Sequence, residues 1–173
     1  MTVQDAAAPE PRSAPDSHSS RALPSPTSRT HLELLGDVAW VMMDSDWHSR
    51  RRIADIGRLV MPGIARRQFR LYYDGDVPIG FVSWARLSGE AEQRFMADPD
   101  SLQADDWTGG ETVYIVDLVA SKGNLRKVLN VLRRDPLVTQ GTVKAIRIRD
   151  GLRALLTITA MGGAPQVMVT ELD

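Results

Sequence analysis

The sequence has no cysteine, which excludes disulfide bonds, thiolate nucleophiles and cysteine-ligated zinc from its chemistry. It has only three histidines, and because none stands four residues from another, a helical pair of histidine metal ligands is excluded as well. No apolar run reaches the roughly 18 residues that a transmembrane helix needs. The N-terminus lacks a basic start followed by an apolar stretch, so we expect no secretory signal, and the missing cysteine favours a reducing compartment.

The net charge is also small. It is −1 at pH 7, so no global field attracts the chain to nucleic acid or to a membrane surface. Basic residues are nevertheless clustered: seven arginines and one acid lie between Arg50 and Arg70, and five basic residues and no acid lie between Lys122 and Arg134. These clusters predict either local docking of an acidic partner or two solvated helix faces.

The first 29 residues are rich in proline, serine and alanine and contain few large apolar side chains. Such a segment cannot bury enough surface to offset the entropy cost of ordering it, so we predict a disordered tail over residues 1–29. Residues 30–173 then form the folded domain. A chain of 173 residues with 43% apolar content suits one domain with its own core plus a short extension.

Hydrophobic periodicity predicts interspersed helices and strands through this domain. Thr30 and Glu33 have the spacing of a capping box, which predicts the start of the first helix. The predicted helices cover residues 32–43, 51–60 (broken or bent by Pro62 and Gly63), 88–96 and 125–134. The predicted strands cover residues 69–73, 79–84, 112–120, 143–149, 152–160 and 166–171. This order predicts an α+β or α/β domain in which helices flank one central mixed sheet.

His48 is the only histidine in the body of the domain, because His18 lies in the tail and His31 at a helix start. A histidine changes charge near neutral pH and can therefore take or give a proton. Ser45 stands three residues away, within reach of a hydrogen bond, although a role at a turn or helix end is the simpler interpretation of that serine. Chemistry and packing are both compatible with His48 at this point.

Asp117 is the one charge in an otherwise apolar predicted strand. Strand alternation places it on the same face as Val113, Ile115 and Val119. A carboxylate in such a place is costly unless it is paired or hydrogen-bonded. It therefore either ends the strand at the surface or faces a functional cleft.

Gly123 and Asn124 lie between that strand and a basic helix. A strand, a glycine turn and a helix N-terminus present free backbone N–H groups to an anion, and Lys122, Arg126 and Lys127 add positive charge. The pattern has the spacing of neither a P-loop nor a dinucleotide fingerprint, and many strand–helix turns contain glycine.

For the four tryptophans we predict mostly packed side chains rather than side chains that stack on a ligand. They are Trp40, Trp47, Trp84 and Trp107. Because they are not interleaved with basic residues, they do not indicate single-stranded nucleic-acid binding.

Several separated motifs occur in an order that is specific to one family. They are Leu-Gly-Asp-Val-Ala-Trp at 35–40, Ser45-x-x-His48, Pro-Ile-Gly-Phe-Val-Ser-Trp-Ala-Arg-Leu-Ser at 78–88, Asp-Asp-Trp-Thr-Gly-Gly at 105–110, and the strand at 115–120. Together they resemble the toxin-activating lysine acyltransferases of bacterial RTX haemolysins, from about residue 34 to residue 149. That family is similar to the GNAT acyltransferases, so the resemblance implies a GNAT-like fold.

The resemblance implies a cytoplasmic enzyme, dimeric in some members, that transfers a fatty acyl group from acyl-acyl carrier protein to internal lysines of a protoxin. It implies no resident cofactor, because the acyl carrier protein is a co-substrate. It implies catalytic roles for His48 and Asp117, with Ser45 supporting them. We expect the pantetheine phosphate near Gly123 and Asn124. We expect the acidic carrier to dock on Arg126, Lys127, Arg133 and Arg134, with Arg50 to Arg52 as additional contacts.

The chain departs from the family pattern where the long strand ends. In the family the strand aspartate is usually followed by Trp and an Ala-Pro-Phe-Gly turn, whereas here Leu118 follows it and the turn reads Ala-Ser-Lys-Gly at 120–123. Two alternatives therefore stay open. One is a GNAT-like enzyme that uses acyl-CoA on another acceptor, and the other is a non-catalytic module that binds a carrier or partner protein.

Overall fold

Six strands form one sheet in chain order in a computed structural model that describes residues 29–149, 152–161 and 164–172. The strands are β1 (Phe69–Asp74), β2 (Val77–Leu87), β3 (Thr112–Ala120), β4 (Thr142–Arg149), β5 (Leu152–Met161) and β6 (Ala164–Leu172). All neighbours are antiparallel except β3 and β4, which are parallel. The predicted mixed sheet is thus confirmed, whereas the predicted tail up to residue 28 and the turn at 150–151 lie outside the described residues.

Six α-helical segments accompany the sheet in this described part of the chain. They are α1 (His31–Met43), α2 (Ile53–Asp55), α3 (Met61–Ala65), α4 (Gly89–Ala97), α5 (Leu125–Leu132) and α6 (Pro136–Thr139). The predicted capping box is present, since Thr30 and Glu33 bond reciprocally at the start of α1. A π-helical turn, Ile56–Val60, joins α2 to α3, and α3 contains Pro62 and Gly63, so the predicted break at these two residues does not end the helical path.

The fourth predicted helix is shorter than expected. α5 ends at Leu132, and the chain turns through Arg133 and Arg134 before Asp135 caps α6 at Pro136. The reason is local, because the residue before a proline is driven out of the helical region and Asp135 is extended there.

Helices cover both faces of the sheet. On one face, here called the α1 face, Val38, Val41 and Met42 of α1 pack with Phe81 and Val119. Phe95 of α4 and Trp107 pack against the far end of that face. On the opposite face, here called the α5 face, Leu132 of α5 and Val138 of α6 pack with Val82, Ile115 and Val143. The flanked sheet is the α+β arrangement that the sequence predicts.

Arg29, which the sequence analysis assigned to the tail, contacts the folded domain. Its guanidinium pairs with Asp37 and donates to the Tyr73 hydroxyl, which itself donates to Asp37 at 2.7 Å. Burial and the hydrogen bond to Asp37 raise the pKa of Tyr73 to about 12. The described domain therefore begins one residue before Thr30.

Candidate active site

His48 is placed by a break in helical structure. α1 ends at Met43, the chain turns through Ser45 and Trp47, and a short 3-10 turn begins at His48. The Ser45 backbone N–H donates to the Met42 carbonyl, which fixes the turn against the end of α1. This geometry directs the His48 side chain inward, where only 8% of the residue is exposed.

Asp117 reaches the same place because of a bulge in β3. Ser83 of β2 pairs with Asp117, but the next residue, Trp84, pairs with Ile115, so Val116 is the extra residue. The predicted face of Asp117 was therefore wrong in part. Ile115 packs on the α5 face, whereas Asp117 contacts His48, which follows α1. Plain alternation would have left the two side chains on opposite faces of the sheet.

His48 is hydrogen-bonded through both ring nitrogens. Its Nε2 lies 2.9 Å from Asp117 Oδ1, and its Nδ1 lies 2.9 Å from Ser45 Oγ. An ionised carboxylate only accepts hydrogen bonds, so Nε2 carries the proton and Nδ1 accepts from the Ser45 hydroxyl. Asp117 is 7% exposed, and its second oxygen, Oδ2, is buried without a partner among the described residues. A buried carboxylate oxygen in that state is ready to accept a hydrogen bond from a ligand.

The pair lies in the wall of a cavity that forms where β3 and β4 separate. The two strands pair only from Val113 with Val143 to Ile115 with Ala145, although both continue well beyond that point. The resulting gap holds a cavity of about 950 Å³ that His48 and Asp117 line. A cavity of this size suits a small-molecule or cofactor-sized ligand.

Charged groups surround the cavity on the α1 face. Basic Arg50, Arg51 and Arg52 come two to four residues after His48 and line the cavity, as do acidic Asp55, Asp98 and Asp100. The backbone N–H of Arg52 donates to Asp55 and lowers the pKa of that carboxyl, so Asp55 remains negative. An anionic and a cationic ligand group can therefore both find a partner here.

Gly123 and Asn124 stand at the start of α5 and do not line this cavity in the described structure. Gly123 has a φ of +78°, which explains the glycine by backbone conformation alone. The Lys122 N–H donates to Asp44, and its ammonium pairs with Asp46, which raises the pKa of Lys122. The backbone N–H and the ammonium of Lys122 are therefore both already bound to carboxylates. Pantetheine binding at Gly123 and Asn124 stays a prediction.

The four basic residues predicted to dock a carrier are exposed on or just after α5. They are Arg126, Lys127, Arg133 and Arg134. Lys127 pairs with Asp74 at 2.6 Å, whereas the three arginines form no ion pair within the described residues. The patch is thus accessible, and its role in docking stays a prediction.

Two of the four predicted core tryptophans are at the surface. Trp84 and Trp107 are buried, but Trp40 and Trp47 are 57% and 66% exposed. Trp47 lines the cavity beside His48, a position that the sequence did not predict. Sequence reasoning also missed the β4 side of the cavity, Ala145 to Ile148, because only the strand separation brings these residues to the site.

Neither a metal centre nor a membrane span emerges from the described residues. No three side chains of the types His, Cys, Asp and Glu are grouped as metal ligands within them. None of the helices in that part of the chain combines the length and apolar character needed to cross a membrane.

Comparison with known proteins places this site in a family. Residues 27–158 match the model of the RTX toxin acyltransferase family. The chain is 33% identical to an RTX-II toxin-activating lysine-acyltransferase of Actinobacillus pleuropneumoniae over 56% of its own length and 60% of the relative's. It is 31% identical to a protein-lysine myristoyltransferase of Kingella kingae over 68% and 69% of the two chains. It is 33% identical to one of Escherichia coli over 60% and 61%.

The aligned part spans about 60% of the length of the first and third of these relatives. The family match covers most of the present chain, including Ser45, His48, Asp117 and the strands around the cavity. The chain therefore belongs to the RTX toxin acyltransferase family.

Proposed function

We propose that this chain is a protein-lysine acyltransferase that moves a fatty acyl group from acyl-acyl carrier protein to internal lysines of an RTX-type protoxin in the cytoplasm. The observation that carries this proposal is the buried His48–Asp117 pair in the wall of a large cavity. The relatives support it, because their names describe toxin-activating lysine acyltransferases and protein-lysine myristoyltransferases.

The first task is to deprotonate the acceptor, because a lysine enters as an ammonium ion and an ammonium ion is not a nucleophile. We place that ammonium between His48 Nε2 and Asp117, where the free Oδ2 accepts one of its N–H groups. When the ammonium binds, the imidazole exchanges to its other tautomer, in which Nδ1–H donates to the Ser45 hydroxyl and the lone pair of Nε2 faces the ammonium. His48 then takes one proton at Nε2 as the general base, and Asp117 stabilises the imidazolium.

The neutral amine next attacks the thioester carbonyl carbon. An amide bond forms as the carbon–sulfur bond breaks, and the pantetheine thiolate takes the second proton of the nitrogen. The proton held by His48 returns to solvent. No resident cofactor takes part in this scheme, since the acyl carrier protein is a co-substrate.

The donor enters from the side of the basic residues in this proposal. Arg50, Arg51 and Arg52 border the cavity on the α1 face, where they can pair with acidic groups of the carrier protein, while the pantetheine phosphate lies near Gly123 and Asn124. The exposed arginines of α5 and its following turn add a second basic surface for an acidic carrier protein.

Donor choice tests the proposal against its alternatives. We expect transfer to a protoxin lysine from acyl-acyl carrier protein to be much faster than from the matching acyl-CoA. Equal or faster transfer from acyl-CoA would favour a GNAT-like enzyme with another donor. Tight carrier binding without transfer from either donor would favour a binding module.

We further propose that the chain forms a homodimer. β6 has a neighbour on one side alone within the described chain, and Val167, Met168 and Val169 of this strand are each at least half exposed. An apolar edge strand of this kind is suited to pairing with a second chain. Light scattering on a size-exclusion column gives the molar mass, and a monomer at micromolar concentration would contradict this part.

A further inference from the structure

Ser83 is a buried serine of β2 that the mechanism proposed for the site does not use. It is 0% exposed, and its hydroxyl has no hydrogen-bond partner among the described residues. A buried hydroxyl without a partner is costly, because it has lost its hydrogen bonds to water. Such a group indicates a partner that it meets in another rotamer or in another state of the site.

Ser83 stands directly opposite Asp117 in the antiparallel pairing of β2 with β3. Directly opposite residues direct their side chains to the same face of a sheet, with Cβ atoms about 4.5–5.5 Å apart. That face is the α1 face, because Gly63 of α3 packs against Ser83 and because Asp117 contacts His48. Two buried oxygens without partners, Ser83 Oγ and Asp117 Oδ2, therefore lie on neighbouring strands and on one face.

We propose that Ser83 is a positioning residue whose hydroxyl donates a hydrogen bond to Asp117 Oδ2 and keeps Oδ1 facing His48. Rotation about the Cα–Cβ bond of Ser83 aims the hydroxyl across the strand pair, and the two side chains together are long enough to span the distance between their Cβ atoms. One bond then satisfies both buried groups. This inference rests on the proposed function, since the role it assigns belongs to the same site.

The bond matters most when the acceptor lysine is bound. In that state Nε2 of His48 presents its lone pair to the ammonium and no longer donates to Asp117, so the carboxylate has lost the donor that fixes it in the free protein. The Ser83 hydroxyl is a second donor, on the neighbouring strand, that stays in place. Because each carboxylate oxygen has two acceptor positions, Oδ2 can bind this hydroxyl and the ammonium together.

The packing around Ser83 strengthens such a bond. A Cβ at Gly63 would lie 3.1 Å from Ser83 Cβ and 3.2 Å from the ring of Trp107, so α3 lies close against the sheet at this point. The serine is therefore out of contact with bulk water. A hydrogen bond to an ionised carboxylate is stronger in such surroundings than in solvent.

A double-mutant cycle on stability tests the bond itself. We expect Ser83→Ala to move the midpoint of urea denaturation to a lower concentration in the native chain, because it removes the donor to Asp117 Oδ2. The same change in an Asp117→Ala background should not destabilise the chain, since the acceptor is absent there. Ser121→Ala is the control, because this buried serine donates to the Ile79 carbonyl and its loss should have an equal effect in both backgrounds.

An Ser83→Ala variant that is as stable as the native chain or more stable would overturn this inference. Equal destabilisation by Ser83→Ala in the native and the Asp117→Ala backgrounds would overturn it as well. Ser83→Cys keeps a weak donor of similar size and should lie between the native chain and Ser83→Ala.

The rate of transfer tests the positioning role. We expect Ser83→Ala to lower kcat about tenfold, the effect of one hydrogen bond to a charged group, with little change in KM. In the Asp117→Ala background the same change should cause no further loss of kcat. An equal loss in both backgrounds, or a higher KM with an unchanged kcat, would contradict positioning through Asp117.

The proposed function is judged separately, by transfer from acyl-acyl carrier protein to a protoxin lysine with the native chain. Stability coupling between Ser83 and Asp117 without any transfer would refute the proposed function and leave the hydrogen bond in place. Transfer by the native chain without stability coupling would refute the bond and leave the proposed function in place.

Discussion

His48 Nε2 lies 2.9 Å from Asp117 Oδ1, although 69 positions separate the two residues in the sequence. Two interruptions of regular structure create this contact. The end of α1 turns His48 inward, and the bulge at Val116 turns Asp117 onto the α1 face. Each residue alone would be a costly buried polar group, so the contact satisfies both.

The hydroxyl of Ser45 should matter for turnover more than for substrate binding, since it holds His48 Nδ1 at 2.9 Å. We expect Ser45→Ala to lower kcat about tenfold, the worth of one hydrogen bond, with little change in KM. Ser45→Thr keeps the hydroxyl and should restore most of the activity. Ser49→Ala is the control, because Ser49 is exposed and its backbone bond to Ser45 survives the change. Equal losses of kcat in Ser45→Ala and Ser49→Ala would contradict a positioning role for the Ser45 hydroxyl.

The basic surface on α5 is tested by charge reversal. We expect the double variant Arg126→Glu and Arg133→Glu to weaken binding of acyl carrier protein, with the largest effect at low salt. Arg86→Glu serves as the control, since Arg86 is exposed at the opposite end of β2 from Gly80, against which α5 packs. Calorimetry at two ionic strengths measures the effect. Unchanged affinity in the double variant would move the docking site elsewhere.

Two adjacent glycines should differ sharply in their tolerance of a methyl group. A Cβ at Gly110 would overlap the backbone carbonyl of Leu87, whereas a Cβ at Gly109 would meet its nearest neighbour at 3.5 Å. Because backbone atoms of a buried strand cannot easily move, we expect Gly110→Ala to lower the free energy of unfolding by about 1–3 kcal/mol. Gly109→Ala should have much less effect. Urea denaturation compares the two, and equal stabilities would contradict this packing.

Glu92 links α4 to two strands, since its carboxylate accepts hydrogen bonds from the Tyr114 hydroxyl and the Lys144 ammonium. Burial raises the pKa of Glu92, but the bonds from Lys144 and Tyr114 outweigh it and leave this pKa below the ordinary 4.5. A lowered pKa means that the carboxylate stabilises the fold above pH 4.5 and that this contribution disappears as the pH falls through the lowered value.

Glu92→Gln should therefore lower the free energy of unfolding by about 1–3 kcal/mol at neutral pH. On acidification, the free energy of unfolding of this variant should fall by less than that of the native chain. Glu90→Gln, on the exposed side of the same helix, is the matched control. Urea denaturation at pH 7 and at a pH below 4.5 measures both effects. A native chain and a Glu92→Gln variant with parallel pH profiles would refute the assigned role.

Local patterns in the sequence predicted much of the fold. A nearly continuous apolar run located β3, and the Thr30–Glu33 spacing located the start of α1, because these features depend on neighbouring residues. The small helix α6 was missed, since Pro136–Thr139 is too short for a helical period. The resemblance to a family indicated His48 and Asp117 together, which periodicity alone could not do.

The geometry around the site depends on long-range packing. Nothing in the residues near Val116 marks a bulge, as no glycine or proline stands there, so the face of Asp117 was misjudged. The separation of β3 from β4 is set by how the two strands pair, and no local pattern encodes it. The cavity at the point where these strands separate therefore emerges only in three dimensions.

The central claim is that His48 and Asp117 transfer a fatty acyl group to a lysine. Its most direct measurement is mass spectrometry of a protoxin incubated with the purified chain and acyl-acyl carrier protein. We predict an acyl adduct on internal lysines with the native chain and with His31→Ala, whose histidine is exposed at the start of α1. His48→Ala and Asp117→Ala should each lower the rate by a factor of about 10²–10⁴ while the chain stays folded. Near-native acylation by either folded variant would contradict the role assigned to that residue, and no lysine adduct with the native chain would contradict the account itself.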